Sequence, residues 1–516
     1  MHIDQRLVLS QTNFLIRINQ IIVNMLPNPN FQETKIDPDN NQYRMEYGLN
    51  SLTSMSIKIS IFRVSLPLLL VFYCSFLESC KKNDQAPPSE HINKYNDISD
   101  PAIAIQWADM TLYTFRHGKN TPTYSSRSLG YLGLTMYESI VYADDSHRSM
   151  SGQLNGLTDL PLYDKNSDYK WQLVLNSSMH TMLKLLYPST NNIKPEDELK
   201  IDSFYDHNLT EYSAGVDLAS VERSVEYGNK LANAIFNWSK TDGGYEAYLK
   251  PFDSTFSFPS GPSYWVPPKK GQTVSKYPLH PHWGTNRTFS ADNGTLPVPG
   301  IIPYSTDPQS DYYKIYNDIY ELNKNLTRTE KEIAQWWADD PTETISPPGH
   351  SFNLASIAIR KAQPNLLKAA ETYARVGMAV ADAFICCFKT KYTYFNERPS
   401  TYINNVIDVT WSPWWPEPPF PAFSSGHSTQ SSAAATVLTS LYGDNFSFTD
   451  DTHAGAVRFP FAEPMQSRNY TSFFQCAEET GYSRLIGGIH TSQDNETGLS
   501  EGKKIGENIN NMLWER

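Results

Sequence analysis

The chain is short of positive charge: 43 Lys and Arg stand against 55 Asp and Glu, a net charge of −12 over 516 residues. A general nucleic-acid binder needs a basic face to displace phosphate counterions, so that class is excluded and any bound anion must meet a local cationic pocket. Cysteine is scarce as well. Only five are present, without an even framework of spacings, so the fold does not rest on a disulfide scaffold. Adjacent Cys386 and Cys387 fall inside a helical pattern and read as core or interface residues rather than ligands. After residue 80 no apolar run approaches the ~18 residues of a membrane-spanning helix. What the chain does have is length, enough for a large core in several domains or one large helical one. Aromatics at 13% and 34 Pro predict irregular, aromatic-pinned connections rather than disorder.

One apolar run stands before that point. Met55-Ser-Ile-Lys58 leads into apolar residues interrupted by Arg63, and the uncharged part from Val64 to Leu77 is 14 residues long, short of the ~20 that span a bilayer. A charged start, an apolar stretch and a small residue before Cys80 form the pattern of a secretory signal. Leu77-Glu-Ser-Cys80-Lys-Lys resembles the lipobox of Bacteroidota lipoproteins. The resemblance implies residues 55–79 as signal peptide, Cys80 as the lipidated first mature residue, and an exported protein anchored to a bacterial cell-envelope membrane. Because a signal must be N-terminal, residues 1–54 are expected to be an upstream extension, with Met55 the start. Polar, Pro-containing residues 80–99 suit a tether.

From about Asp100 the spacing predicts helices near 101–118, 125–143, 168–187, 214–240, 308–325, 328–338, 351–362, 364–390, 428–442, 467–486 and 500–514, with no rival set of alternating strands. The class is all-α. In 364–390, Leu366, Ala370, Tyr373, Gly377, Val380 and Phe384 recur at alternating steps of four and three, one apolar stripe. Pro364 suits a first turn and Arg398-Pro399 a stop, which leaves Lys391 near the helix end and Arg398 just beyond it. Between 241 and 307 runs a long segment rich in Gly, Pro and aromatics, of a length that is usually functional or wrapped on the core.

Three strings carry the chemistry: Lys391-Tyr-Thr-Tyr-Phe-Asn-Glu-Arg398-Pro399, Phe423-Ser-Ser425-Gly426-His427, and Ser483-Arg484-Leu-Ile-Gly-Gly-Ile-His490-Thr-Ser-Gln-Asp494. Alone, each cation or histidine reads as a surface or structural residue. Together they complement one another. Ser424-Ser425-Gly426 precedes a small-residue helix, so its amides face whatever lies before the helix start. Gly426 lets backbone approach an oxyanion closely, and Ser425 adds a hydrogen-bond donor. Lys391, Arg398 and Arg484 supply three charges, two of them planar forks suited to oxyanions. His490 stands four residues before Asp494, whose carboxylate can take one ring proton and leave the other nitrogen as nucleophile or metal ligand. His427 is placed as a general acid or base.

In this order the strings resemble the signature of the type 2 phosphatidic acid phosphatase and vanadium haloperoxidase superfamily. That signature is Lys, six residues, Arg-Pro; then Pro-Ser-Gly-His; then Ser-Arg, five residues, His, three residues, Asp. Ser424 in place of the first proline is the one departure. The resemblance implies helical bundles with long Pro- and aromatic-rich loops. It further implies that Lys391, Arg398, Ser425, Gly426 and Arg484 bind the equatorial oxygens of vanadate or of competing phosphate. His427 is then the acid/base, and His490 the axial vanadium ligand or phosphate-attacking nucleophile.

Within the superfamily the roughly 250 further residues that the mature chain carries before the Lys391 string resemble the haloperoxidase branch rather than the compact acid phosphatases. Trp336-Trp-Ala-Asp-Asp340, Ile345-Ser-Pro-Pro-Gly-His350, Gly261-Pro-Ser-Tyr-Trp265 and Trp283-Gly284 look like elements of bacterial haloperoxidase-related proteins. Residues 100–330 are expected as an N-terminal helical part and 331–516 as the core of the phosphatase/haloperoxidase type. Phe420, seven residues before His427, matches the chloroperoxidase type. Phe388 replaces a Trp of the fungal enzymes, and Asp340 is either a partner of Arg484 or an exposed acid at a helix end. The implied activity is oxidation of a halide by hydrogen peroxide with vanadate as cofactor. Alternatives are hydrolysis of phosphate monoesters through a phosphohistidine, and a non-catalytic lipoprotein that keeps the fold.

Overall fold

Side-chain caps open eight of the fourteen helices among the described residues. The structure, a computed structural model, describes residues 91–516 apart from Val274 and Thr342; the expected extension, signal peptide and Cys80 lie outside the described residues. Helices α1 (Ala102–His117), α2 (Pro122–Glu138), α3 (Trp171–Leu186), α4 (Pro195–Ser213) and α5 (Leu218–Ser239) form the first part. The short α6 (Ala291–Thr295) leads to α7 (Asp311–Lys324), α8 (Arg328–Trp336), α9 (Ser346–Ala362), α10 (Leu366–Tyr394) and α11 (Pro399–Val406). Then come α12 (Gly426–Tyr442), α13 (Phe473–Ile486) and α14 (Ser492–Asn510). One antiparallel pair, β1 (Phe448–Asp450) and β2 (Arg468–Tyr470), sits between α12 and α13 with Thr449 opposite Asn469. The all-α expectation holds, and no helix of the described residues is long and apolar enough to cross a membrane.

Three helices escaped the hydrophobic pattern, the five-residue α6 among them. In α4 only Asp197, Ile201, Asn208 and Leu209 are buried, so it has no wide apolar stripe; its signal is Pro195 at the first turn followed by Glu196, Asp197 and Glu198 against the positive dipole end. In α11 the start is Arg398-Pro399, which the sequence reading used only as a stop.

The long α10 is the axis of the core. Its stripe is buried along its length, and burying a side chain such as Val380 or Phe384 stabilises by about 1.5–3 kcal/mol. It begins where the Asn365 side chain accepts from the Lys368 amide, and it runs past the expected end to Tyr394, where Phe395 closes it in a left-handed conformation. Lys391 is therefore in its last turn. Helix α2 lies against it closely enough that a Cβ at Gly133 would strike the Tyr373 carbonyl and one at Gly377 the Leu129 carbonyl.

The second close pairing positions the site. On α14, Gly498, Gly502 and Gly506 are spaced by four, and a Cβ on each would meet the carbonyls of Ser425, Thr429 and Ala433 on α12. This glycine face lets the helix that follows His490 run against the helix that follows Ser425. Gly502→Ala must push the two backbones apart, and overpacking of this kind costs about 1–3 kcal/mol. Chemical denaturation should register that loss as a lower midpoint with an unchanged slope.

Candidate active site

Five element ends deliver the side chains to one buried place. Lys391 comes from the end of α10, Arg398 caps α11, Ser425 caps α12, and Arg484 lies in the last turn of α13. His490 stands just before α14, whose capping box joins Thr491 and Asp494. The Ser425 amide donates to the Asp494 carbonyl at 2.9 Å, tying the two helix starts together. Lys391, Arg398, Ser425, Arg484, His490 and Asp494 are each at most 2% exposed.

His490 has its tautomer fixed. Its Nδ1 donates to Asp494 Oδ2 at 3.0 Å, the oxygen that also accepts from the Thr491 amide at 2.9 Å. Nε2 keeps its lone pair and accepts from Arg398 Nη1 at 3.2 Å. Burial and the positive charges of Arg398, Lys391 and Arg484 hold the imidazole well below its usual pKa, so it is neutral. A neutral ring with an unprotonated Nε2, oriented by a carboxylate, is what a ligand histidine requires.

The three cations do different work. Lys391 donates to the carbonyls of Pro421, Ala422 and Ser424 at 2.9, 2.7 and 2.6 Å, so it braces the loop before the anion turn and contributes charge. Arg398 also grips backbone, giving Nε and Nη2 to the Phe420 carbonyl at 3.0 and 2.8 Å and Nη1 to the Ile489 carbonyl at 2.8 Å. Arg484 is the uncommitted one. Its Nη1 donates to the Trp337 carbonyl at 2.9 Å, while Nε and Nη2 are buried with no hydrogen-bond partner among the described residues. Burial, reinforced for Lys391 by Arg398 and for Arg484 by Arg398, pushes Lys391 down to about 8 and both arginines to about 10.

His427, the second residue of α12, has its Nε2 sealed from solvent and equally without a partner; burial and then Arg484 hold it far below its ordinary pKa. The first-turn amides of α12 cannot be satisfied within the helix. The Ser425 oxygen accepts from the Ser428 amide and hydroxyl at 3.4 and 3.1 Å, which leaves its own proton to give. At Gly426 a Cβ would meet only Cys387 Sγ, at 3.9 Å; the protein does not need the missing side chain for its own packing.

Ser424, the departure from the superfamily signature, has a partner of its own: its hydroxyl donates to Glu501 Oε2 on α14 at 2.7 Å. Phe420 lies with its ring 5.2 Å from both Lys391 Nζ and the Arg398 guanidinium and 5.4 Å from the Phe388 ring. Asp340 neither pairs with Arg484 nor stands exposed at a helix end. No ion pair joins the two among the described residues, though Asp340 is the strongest opposing charge on Arg484; its carboxylate accepts from Gln272 Nε2 at 2.7 Å. Burial raises it to about 6, with the nearby Arg484 charge opposing. Sequence reasoning passed over its neighbour Asp339, which is buried between His350 and His453. The Trp336–Asp340 and Ile345–His350 strings contained two of these residues, but nothing local pairs them with His453.

Fold and site together define an all-α protein with three buried cations gathered beside two neutral histidines. The family model of the VCPO second helical-bundle domain matches residues 404–515. A solved structure, that of the first bacterial vanadium-dependent iodoperoxidase, is 31% identical over 81% of this chain and 97% of its own, with a TM-score of 0.69. The chain belongs to the vanadium haloperoxidase family. A bacterial vanadium-dependent chloroperoxidase, 14% identical, shares the fold in its apo form (76% of this chain, 94% of its own, TM-score 0.59) and its holo form (82% and 93%, TM-score 0.55). No curated protein sequence gives a significant match.

Proposed function

We propose that this protein is a vanadate-dependent haloperoxidase that oxidises a halide with hydrogen peroxide. The observation that carries the reading is the set of sealed polar atoms without partners, Arg484 Nε, Arg484 Nη2 and His427 Nε2. A buried donor left unsatisfied costs about 1–3 kcal/mol, more when charged, and a tetrahedral or trigonal oxyanion relieves that cost at the two Arg484 nitrogens while setting an oxygen beside His427 Nε2. The residues fit such a group: the cations repel one another in its absence, the Gly426 side has space that no protein atom claims, and His490 Nε2 offers a lone pair. The iodoperoxidase likeness supports vanadate over phosphate as resident and makes iodide the first halide to try.

Vanadate, when bound, supplies the Lewis-acidic centre at which hydrogen peroxide becomes reactive toward halide. The chain does the rest. His490 Nε2 is the ligand atom, and Asp494 keeps its proton on the far nitrogen. Arg484, the Ser425 hydroxyl and the first amides of α12 hold the oxygens, while Lys391 and Arg398 hold the 420–424 loop and neutralise charge. His427 Nε2 holds or moves a proton at an oxygen of the bound anion. Phe420 and Phe388 form an apolar wall beside the cations, keeping water from competing for them.

The purified protein, loaded with orthovanadate, is expected to oxidise iodide in a peroxide-dependent reaction, with phosphate inhibiting by competition. Bromide and chloride run in parallel set the halide range. Bound vanadate without halide oxidation, together with turnover of p-nitrophenyl phosphate by the vanadate-free protein, would replace this reading with a phosphatase.

A further inference from the structure

Behind Arg484 lies a second cluster of charged side chains, none of them among the residues of the cationic site itself. Asp339, His350, Asp450 and His453 are all at least nine-tenths buried, and Asp339, His350 and His453 bring ligand-type atoms within 4.8 Å of one another. His350 Nδ1 faces Asp339 Oδ2 at 2.7 Å, its Nε2 faces Asp450 Oδ2 at 2.8 Å, and His453 Nε2 faces Asp339 Oδ1 at 2.7 Å. Donors on a tetrahedral metal with bonds of about 2.0–2.2 Å sit about 3.3–3.6 Å apart. The observed separations are those of hydrogen bonds.

The hydrogen bonding is complete. With a carboxylate on each ring nitrogen, His350 must carry both protons; burial opposes that charge, but Asp339 and Asp450 outweigh it and push the ring up to about 10. Asp450 also accepts from Trp336 Nε1 at 3.0 Å and from the Thr452 amide and hydroxyl at 3.0 and 2.5 Å. A satisfied buried network of this kind is rigid. It holds Asp339 in a left-handed conformation, φ 47°, which a non-glycine residue keeps only when its surroundings over-determine it.

What the network fixes is the turn that carries Trp337. The Trp337 ring stacks on His350, centroids 4.4 Å apart at 22°, its indole N–H donates to Glu479, and its carbonyl takes one arm of Arg484 at 2.9 Å. We propose that Asp339, His350, Asp450 and His453 form a positioning network for the oxyanion site. By locking the Trp336–Asp340 turn, they hold the Trp337 carbonyl against Arg484 Nη1 and so aim the two free donor positions of that guanidinium at the anion. The inference rests on the oxyanion reading of the site above.

The test is a double-mutant cycle on orthovanadate affinity, measured by calorimetry on the whole chain without turnover. Asp450→Asn removes a counter-charge of His350 without touching the anion site. In the wild-type background it is expected to weaken vanadate binding about 10-fold, the low end of the range for partners one shell outside a ligand set, because it acts through His350 and Trp337. In an Arg484→Lys background, where the guanidinium fork is already gone, the same change is expected to cost less than about three-fold, because residues acting through one another are not additive. His453→Gln runs in the same cycle and carries the test if the Asp450 variant fails to fold. Equal losses in both backgrounds, or unchanged affinity in the wild-type background, overturn the network's role. So does a stoichiometric divalent metal in the purified protein that His453→Gln removes. A wild-type chain that binds no vanadate overturns the oxyanion reading itself, and this inference with it.

Discussion

Replacing His490 by Ala is expected to abolish vanadate binding at any concentration that saturates the wild type, with the fold retained. The reason lies in how the cradle divides its labour. Lys391 and Arg398 spend their donors on the carbonyls of 420–424 and Ile489, so they cannot compensate with new hydrogen bonds for a lost covalent contact. Asp494→Asn gives the calibration. It leaves the ligand atom in place but removes the charge that fixes the tautomer, and changes of that sort cost about 10–100-fold. Loss of the ligand atom itself must exceed this, by more than about 100-fold in affinity. Titration of the purified variants with orthovanadate, followed by calorimetry, ranks the three proteins. A His490→Ala chain that binds within ten-fold of wild type would mean that the anion is held by charge alone, and the assignment of His490 as ligand would fall.

That ranking depends on features that differ in how far sequence can reveal them. The stripe on α10 was legible because apolar residues at steps of three and four admit one helical face, and the three strings were legible because each sets its chemistry within a dozen residues. The donor commitments of Lys391 and Arg398 were not. Whether a cation points at an anion or at a carbonyl is decided by the path of the 420–424 loop, which no local pattern specifies. The Asp339–Asp340 pair makes the same point at finer scale. Two adjacent acids are interchangeable on paper, and only the left-handed turn at Asp339 sends one toward His350 and the other toward Gln272. Helix α4 was missed because its apolar surface is too small to set a period. The β1–β2 pair was missed because three-residue strands joined by a long loop carry no alternation.

Replacing His427 by Ala should act on rate and spare affinity. Its Nε2 has no protein partner, and burial with the Arg484 charge keeps the ring neutral in the anion-free protein. A bound oxyanion adds negative charge beside that nitrogen, which favours the protonated form and so raises the pKa toward the working range. On the proposed reading the histidine then exchanges a proton with an oxygen of the anion, a role worth about 10²–10⁴-fold in rate. His427→Ala is therefore expected to lower kcat for iodide oxidation by that factor, with vanadate affinity within about three-fold of wild type and little change in KM for iodide. It also predicts a change in pH dependence. The limb of the kcat profile that reports this imidazole should disappear in the variant, while any limb due to other groups persists. Equal losses in kcat and in vanadate affinity would instead make His427 part of the anion's binding shell, because a residue that only moves protons leaves the resting complex intact.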